Sequence, residues 1–343
     1  MGWERIGATR RDCLESSDRL SGGQPSRGRY SPKTLWENGM MNEIEESTSE
    51  RRRKRLLDGA GAATREPEAV AFQHSVLAQT GLPYRNPGDD AREWERSNGQ
   101  ASLEIIAGKA FHPELCRFVP LGLPYGPKPR LILAHLNGEA LRQQSPQVEV
   151  EASLTAFVKR LKLDAGGRTI NTIKDQLARL AACSMRLGVV RDGRAVTINS
   201  QIVHSFDLWF PKEDGQRVLW PSTLCLSHEY FDSLAKHAVP LHDKALMALS
   251  GSAMALDVYA WLAQRLHRIE WGQRVFVPWP ALQAQFGWHY DRVRKFREVF
   301  TQTVRLVHSQ YRAADIELDG RGMTLRRSSP PVKGRTGIVV QLP

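Results

Sequence analysis

Residues 168–200 read RTINTIKDQLARLAACSMRLGVVRDGRAVTINS, and the apolar period changes partway through. Up to Ala182 apolar residues recur three and four apart. Ile170, Ile173, Leu177 and Leu180 share one helical face, and Arg168, Asn171, Thr172, Lys174 and Asp175 lie away from it. From Ser184 the alternation shortens to two, in SMRLGVV and RAVTINSQIVHSFDLWF on either side of Asp192-Gly193. That pattern predicts a β-hairpin, because Asp-Gly supplies the positive-φ residues of a tight turn. Just upstream, Ser153 is placed to cap a helix carrying Leu154, Phe157, Val158 and Leu161 at helical spacing. Helix, helix, hairpin in this order is the outline of a winged helix.

The same order recurs downstream. A capped helix is expected over 227–235. SAMALDVYAWLAQRLHRI follows as a longer one, with Met254, Val258, Trp261, Leu262 and Leu266 suited to a core. WPALQAQFG makes a short helix stopped by Gly287. The long helix of HYDRVRKFREVFTQTVRLVHSQY carries Val293, Phe296, Phe300, Val304, Val307 and Tyr311 along one stripe, and ADIELDGRGMTLRR turns around Asp319-Gly320. Upstream, the pattern predicts a helix over 66–80, a short strand at the end of SNGQASLEIIAG, a helix over 131–141 started by Pro129, and a strand over 147–150. The expected fold is α+β and mainly helical, with two tandem winged-helix domains bearing β-hairpin wings after a disordered N-terminal tail. The expected divisions are a tail over 1–65, a helix-and-strand region over 66–120 packing on the first domain, winged helices over 121–226 and 227–330, and a tail over 331–343. Met40-Met41 offers an alternative start.

Composition narrows the partners. The formal net charge is +11, with 41% hydrophobic and 25% charged residues, an ordinary globular balance with a strong basic excess. Such an excess attracts polyanions. No apolar run approaches the ~18–20 residues of a membrane span, and MGWERIGATRRDCLE lacks the apolar core of a signal peptide. Cys13, Cys116, Cys183 and Cys225 are far apart with no CxxC, which reads as free thiols in a reducing, cytoplasmic setting.

Several chemistries are excluded by spacing. GLPYGPKPR (122–130) resembles a phosphate loop at first sight. Its glycines are wrongly spaced, no Ser or Thr follows Lys128, and its prolines remove N–H donors. The loop is read instead as a stiff lead into a helix, with Lys128 and Arg130 meeting phosphate as simple charges. Cys225-x2-His228, with His237 and His242, is a poor zinc pattern, and there is no HExxH. No histidines flank a single apolar residue, as tyrosine nickases require. Ser250 or Ser252 is a helix cap, not a nucleophile. No catalytic residue, cofactor or metal is therefore expected.

Electrostatics remain. Nine basic residues stand against three acids over 153–194, and nine against five over 287–327. They gather on the expected second and third helices and on the wings, the parts that meet a major groove and its flanking phosphates. In the first copy Arg168, Asn171, Thr172, Lys174, Arg191 and Arg194 are the candidate DNA contacts. In the second they are Tyr290, Arg292, Arg294, Lys295, Arg297, Arg321 and Arg326, arginine being the commonest guanine contact.

Eight stretches carry a resemblance covering most of 70–330: LPYRNP (82–87), RSNGQASLEI (96–105), GLPYGPKPRLILAHLNGEALR (122–142), ASLTAFVKRLKL (152–163), QLARLAAC (176–183), LSHEYFDSLAKHAVPL (226–241), ALDVYAWLAQRLHRI (255–269) and QFGWHYDRVRKFREVF (285–300). Together they resemble the RepA family of plasmid replication initiators. The resemblance implies an initiator that binds repeated double-stranded sites at a plasmid origin, helps open the duplex and brings in host replication factors. A host initiator and helicase are the expected partners, self-dimerisation is a further candidate, and the sequence leaves the oligomeric state open. AFHPELCRFVP (110–120) departs from it. A winged-helix transcriptional repressor is the first rival, and a nicking or nucleotide-hydrolysing enzyme the second.

Overall fold

The computed structural model describes residues 50, 53–59, 70–112, 115–149, 151, 153–191, 194–201, 203–205 and 223–332. Most of the expected tail over 1–65, and residues 333–343 of the C-terminal one, lie outside these residues. Within the former, 53–59 are helical, and the Leu56 carbonyl accepts from Gln310 Nε2 at 3.1 Å.

The helix expected over 66–80 is instead a strand, β1 (Val70–His74), turning at once into a short helix, α1 (Ser75–Thr80). The partner of β1 is Ala238–His242, in register from Val70↔His242 to His74↔Ala238, a pairing invisible to local periodicity. His74 sets the boundary: its backbone is extended and its Nδ1 accepts the Val76 N–H at 3.2 Å, capping α1. The strand expected near 105 is β3 (Ala101–Ile106), paired with an unexpected β2 (Glu93–Asn98) through a turn at Gly99. The family-divergent stretch forms a separate hairpin, β4 (Lys109–His112) with β5 (Arg117–Pro120). Arg92 pins its base through the carbonyls of Ala107, Gly108 and Leu121, at 2.7, 3.0 and 2.7 Å.

Next come α2 (Pro127–Gln143), β6 (Gln147–Glu149), α3 (Leu154–Arg160) and α4 (Gly167–Ala182). The helix after the proline loop thus starts at Pro127, ahead of Pro129. Ser153 caps α3 through the Ala156 N–H, and α4 buries Ile173, Leu177 and Leu180 as its spacing requires. The hairpin of the quoted stretch is β7 (Ser184–Arg191) with β8 (Arg194–Ser200). It does not close the sheet of the preceding helices. It joins a four-stranded sheet in the order β2-β3-β7-β8. The cause is burial: the register Leu103↔Leu187 and Ile105↔Met185 puts four fully buried side chains on one face. Alternation specified the hairpin and not its neighbour. The strands that do close those helices are β9 (Val203–Ser205) and β10 (Thr223–Leu226), in a sheet ordered β6-β10-β9.

Beyond them lie α5 (His228–His237), capped by Ser227, then β11 (Ala238–His242), α6 (Asp243–Leu249) and α7 (Ala253–Arg265). Ser252 caps α7. Every residue from Ala253 to Gln264 is buried, including Asp257, which makes α7 the central helix of the core. The chain ends in β12 (Arg274–Pro278), α8 (Trp279–Phe286), α9 (Val293–Gln310), β13 (Ile316–Leu318) and β14 (Gly322–Arg326), with sheet order β12-β14-β13. Gly287 ends α8, and Phe296, Phe300, Val304 and Val307 of α9 are buried with Tyr311. Val293, expected in that stripe, is 43% exposed at the helix start.

Candidate nucleic-acid interface

Two stretches of chain share one element order, α2-β6-α3-α4-β9-β10 and α7-β12-α8-α9-β13-β14, once β7 and β8, which stand between α4 and β9 and join another sheet, are set aside. In both sheets the last strand lies between the first strand and the middle one. α4 and α9 therefore hold equivalent places, each following a short helix and standing ahead of the two strands that complete its three-stranded sheet, directly for α9 and after β7–β8 for α4. Each also has one apolar face in the core and one polar face in solvent.

Their starts share a further property. α1, α3, α5, α6 and α7 take side-chain caps from His74, Ser153, Ser227, His242 and Ser252, and α2 and α8 carry a proline in the first two positions, Pro127 and Pro280. α4, after Gly166, and α9, after Arg292, have neither, and no acid stands in their first turns. The positive end of each helix dipole thus has neither a cap from its own N-cap side chain nor an acid in the first turn.

On α9, Arg292, Arg294, Lys295 and Arg297 are exposed over the first two turns. Lys295 pairs with Glu298 at 3.0 Å, and Arg297 lies over the Trp279 ring at 5.2 Å. Tyr290 is half-buried against Phe296, ring centroids 5.9 Å apart, so it frames the start of α9 more than it reaches outward. On α4, Arg168 and Asn171 are exposed, while Thr172 and Lys174 are half-buried. The Thr172 hydroxyl donates back to the Arg168 carbonyl at 2.8 Å, and partial burial lowers the Lys174 pKa. Asp175 turns to Arg179 at 3.0 Å, which also lies over the Tyr125 ring.

The hairpin arginines divide. Arg321 sits in the β13–β14 turn, its side chain 86% exposed and its guanidinium 5.9 Å from the centre of the Phe276 ring. Asp319 Oδ1 accepts from the Arg321 and Gly322 backbone N–H groups at 2.7 and 2.8 Å and shapes that turn. Arg326 instead faces Asp315 at 3.0 Å and Glu317 at 2.8 Å, so two carboxylates match its charge locally. Arg191 and Arg194 are cross-strand neighbours at the tip of β7–β8. Their side chains lie outside the described residues, and their strands belong to the four-stranded sheet.

One expectation is overturned. Arg130 does not meet solvent as a simple charge: it is 3% exposed. Its Nε and Nη2 donate to the two Asp257 oxygens at 2.6 and 2.7 Å, and it also serves the carbonyls of Leu82, Pro83 and Gly126. Gly81, at φ +75°, has to be glycine beside this pair, because a Cβ there would stand 2.5 Å from Asp257 Oδ2. No local pattern marks Arg130 for burial, since its partner Asp257 lies on a helix far along the chain.

Among the described residues no group of three or more His, Cys, Asp or Glu could hold a metal ion. No described helix is long and apolar enough to cross a membrane. No disulfide joins Cys116, Cys183 or Cys225, and burial pushes the Cys183 thiol up to about 12. Cys13 lies outside the described residues.

Residues 123–279 match the family model described as plasmid encoded RepA protein, and over that span the resemblance to plasmid RepA proteins is borne out. No curated protein matches the chain. Among solved structures, the chain is similar to the crystal structure of RctB domains 2-3, at 11% identity and TM-score 0.46, covering 74% of this chain and 97% of that one. It is similar also to a selenomethionine form of the same two domains, at 10% identity and TM-score 0.45, covering 73% and 96%.

Proposed function

We propose, from the RepA match over residues 123–279, that this chain initiates plasmid replication by binding repeated double-stranded sites at the origin through two winged-helix units. The observation that carries the reading is the repeated element order, with a basic, uncapped helix in the same place of each unit. α9 and α4 then lie in successive major-groove faces, where Arg292 and Arg294 reach guanine edges. Arg168, Lys174 and Arg321 meet phosphates beside them. The chain works by binding rather than catalysis: it holds the duplex for opening, recruits a host initiator and helicase, and associates with itself.

Footprinting on DNA flanking the encoding gene tests this. A ladder of protected direct repeats is the expected result, and one short palindrome would favour a repressor. If six or more phosphates are contacted, affinity should fall by roughly a thousandfold between 50 and 200 mM salt as counterions are released. Nicking of supercoiled origin DNA, or phosphate release from ATP, would replace this reading with an enzymatic one.

A further inference from the structure

The β2–β3 hairpin touches the surroundings of both helices that the preceding reading sets on DNA. Along β2 the side chains alternate: Glu93, Glu95 and Ser97 are exposed, and Trp94, Arg96 and Asn98 turn to the body and are half-buried. Arg96 donates to the carbonyls of Ala284 and Gln285, at the C-terminal end of α8, where a cation opposes the negative end of the helix dipole. The Trp94 ring meets Trp288 edge-on, centroids 4.7 Å apart, and Trp288 lies in the turn that leads into α9. Asn98 Nδ2 and Gln285 Nε2 both donate to the Gln79 carbonyl, at 3.1 and 3.0 Å, closing the contact.

The other strand faces the first unit. β3 pairs with β7 from Ala101↔Val189 to Ile106↔Ser184, and β7 leaves α4 after only Cys183. Just past β3, Gly108 lies so close to the end of α4 that a Cβ would overlap the Ala182 carbonyl oxygen, 1.7 Å away. One stiff hairpin thus runs from the end of α4 to the start of α9, two helices of different units.

We infer that β2–β3 is a spacer that fixes the separation and rotation of α4 and α9, with Trp94 and Arg96 as positioning residues. The spacing of the two half-sites on DNA is then set by this hairpin rather than by either reading helix. The inference rests on the DNA-binding reading. One base pair added between half-sites turns the second by about 35° and moves it about 3.4 Å, which a rigid spacer cannot follow.

The test uses the full chain and a footprinted origin repeat, unchanged or with one base pair inserted between the two protected segments. Wild type should bind the inserted site at least about tenfold more weakly, which corresponds to about 1.4 kcal/mol. Trp94→Ala/Arg96→Ala, shown folded by circular dichroism, should lose most of that discrimination while binding isolated half-sites as wild type does. Arg96→Lys alone, which keeps a cationic donor at the α8 carbonyls, should keep the discrimination, and Arg96→Gln alone, a neutral donor, should show an intermediate loss. Wild-type tolerance of the inserted base pair would overturn the inference, as would full discrimination in a folded double variant. Absence of any origin protection by wild type would overturn the DNA-binding reading itself, and this inference with it.

Discussion

Arg294 and Lys174 show how differently two basic residues on equivalent helices can be placed. Arg294 stands exposed in the first turn of α9, and Lys174 is half-buried midway along α4 with a lowered pKa. Arg294→Ala should weaken binding to an origin fragment by about tenfold and relax preference at one base pair, the behaviour of a bidentate base contact. Lys174→Ala should weaken it evenly across sequences and reduce the salt slope by about one, as for a phosphate contact. Gel-shift titrations at two salt concentrations read both, and unchanged binding in both variants would remove α4 and α9 from the interface. Periodicity made these residues legible, because a buried stripe of Phe296, Phe300 and Val304 obliges Arg294 and Lys295 to face water. It could not separate Arg321, exposed in its turn and 3.6 Å from Asp319, from Arg326, half-buried and matched by Asp315 and Glu317 on its own sheet.

At the scale of elements, the amphipathic helices, the pairing of β7 with β8 and the turn at Asp319-Gly320 could be read locally, since their signals lie within a few residues; Asp192-Gly193 itself lies outside the described residues. The partners of β1, β2 and β7 could not, because pairing is decided by which faces must be buried together. Arg130 belongs to the same lesson. A lysine–proline–arginine run looks like a phosphate contact, yet the guanidinium ties α2 to Asp257 of α7. Asp257→Asn would leave that guanidinium buried beside a neutral amide and should cost about 3–5 kcal/mol of stability. Arg130→Met with Asp257→Leu, which removes both charges, should cost far less. Urea melts of the three proteins check the difference, and equal losses would show that the pair contributes only its packing volume.

The whole molecule has an acid limit written into its core. His74 Nδ1 accepts from Val76, so its other nitrogen carries the proton toward Ser233 Oγ at 2.9 Å, and the ring stacks on Tyr230. Burial, aided by His237, lowers its pKa from 6.5 to about 3, and burial also lowers that of His135 to about 4. Below pH 6.5 the unfolded chain therefore binds more protons than the folded one. The stability these neutral rings contribute is complete above pH 6.5 and is lost as pH falls toward 4 and then 3. Melting temperature should drop between pH 7 and 5, and His74→Asn should flatten that drop while melting lower at pH 7.

The pairing of β1 with β11 sets a timetable for synthesis. β1 leaves the ribosome about 170 residues before the strand that covers its edge. At about 5–20 residues per second that is a wait of roughly ten to thirty seconds. Through that interval Phe72 and the free backbone of β1 stand open to other nascent chains. Codon speed upstream of Ala238, or a chaperone holding residues 70–74, would then govern how much soluble protein a cell obtains.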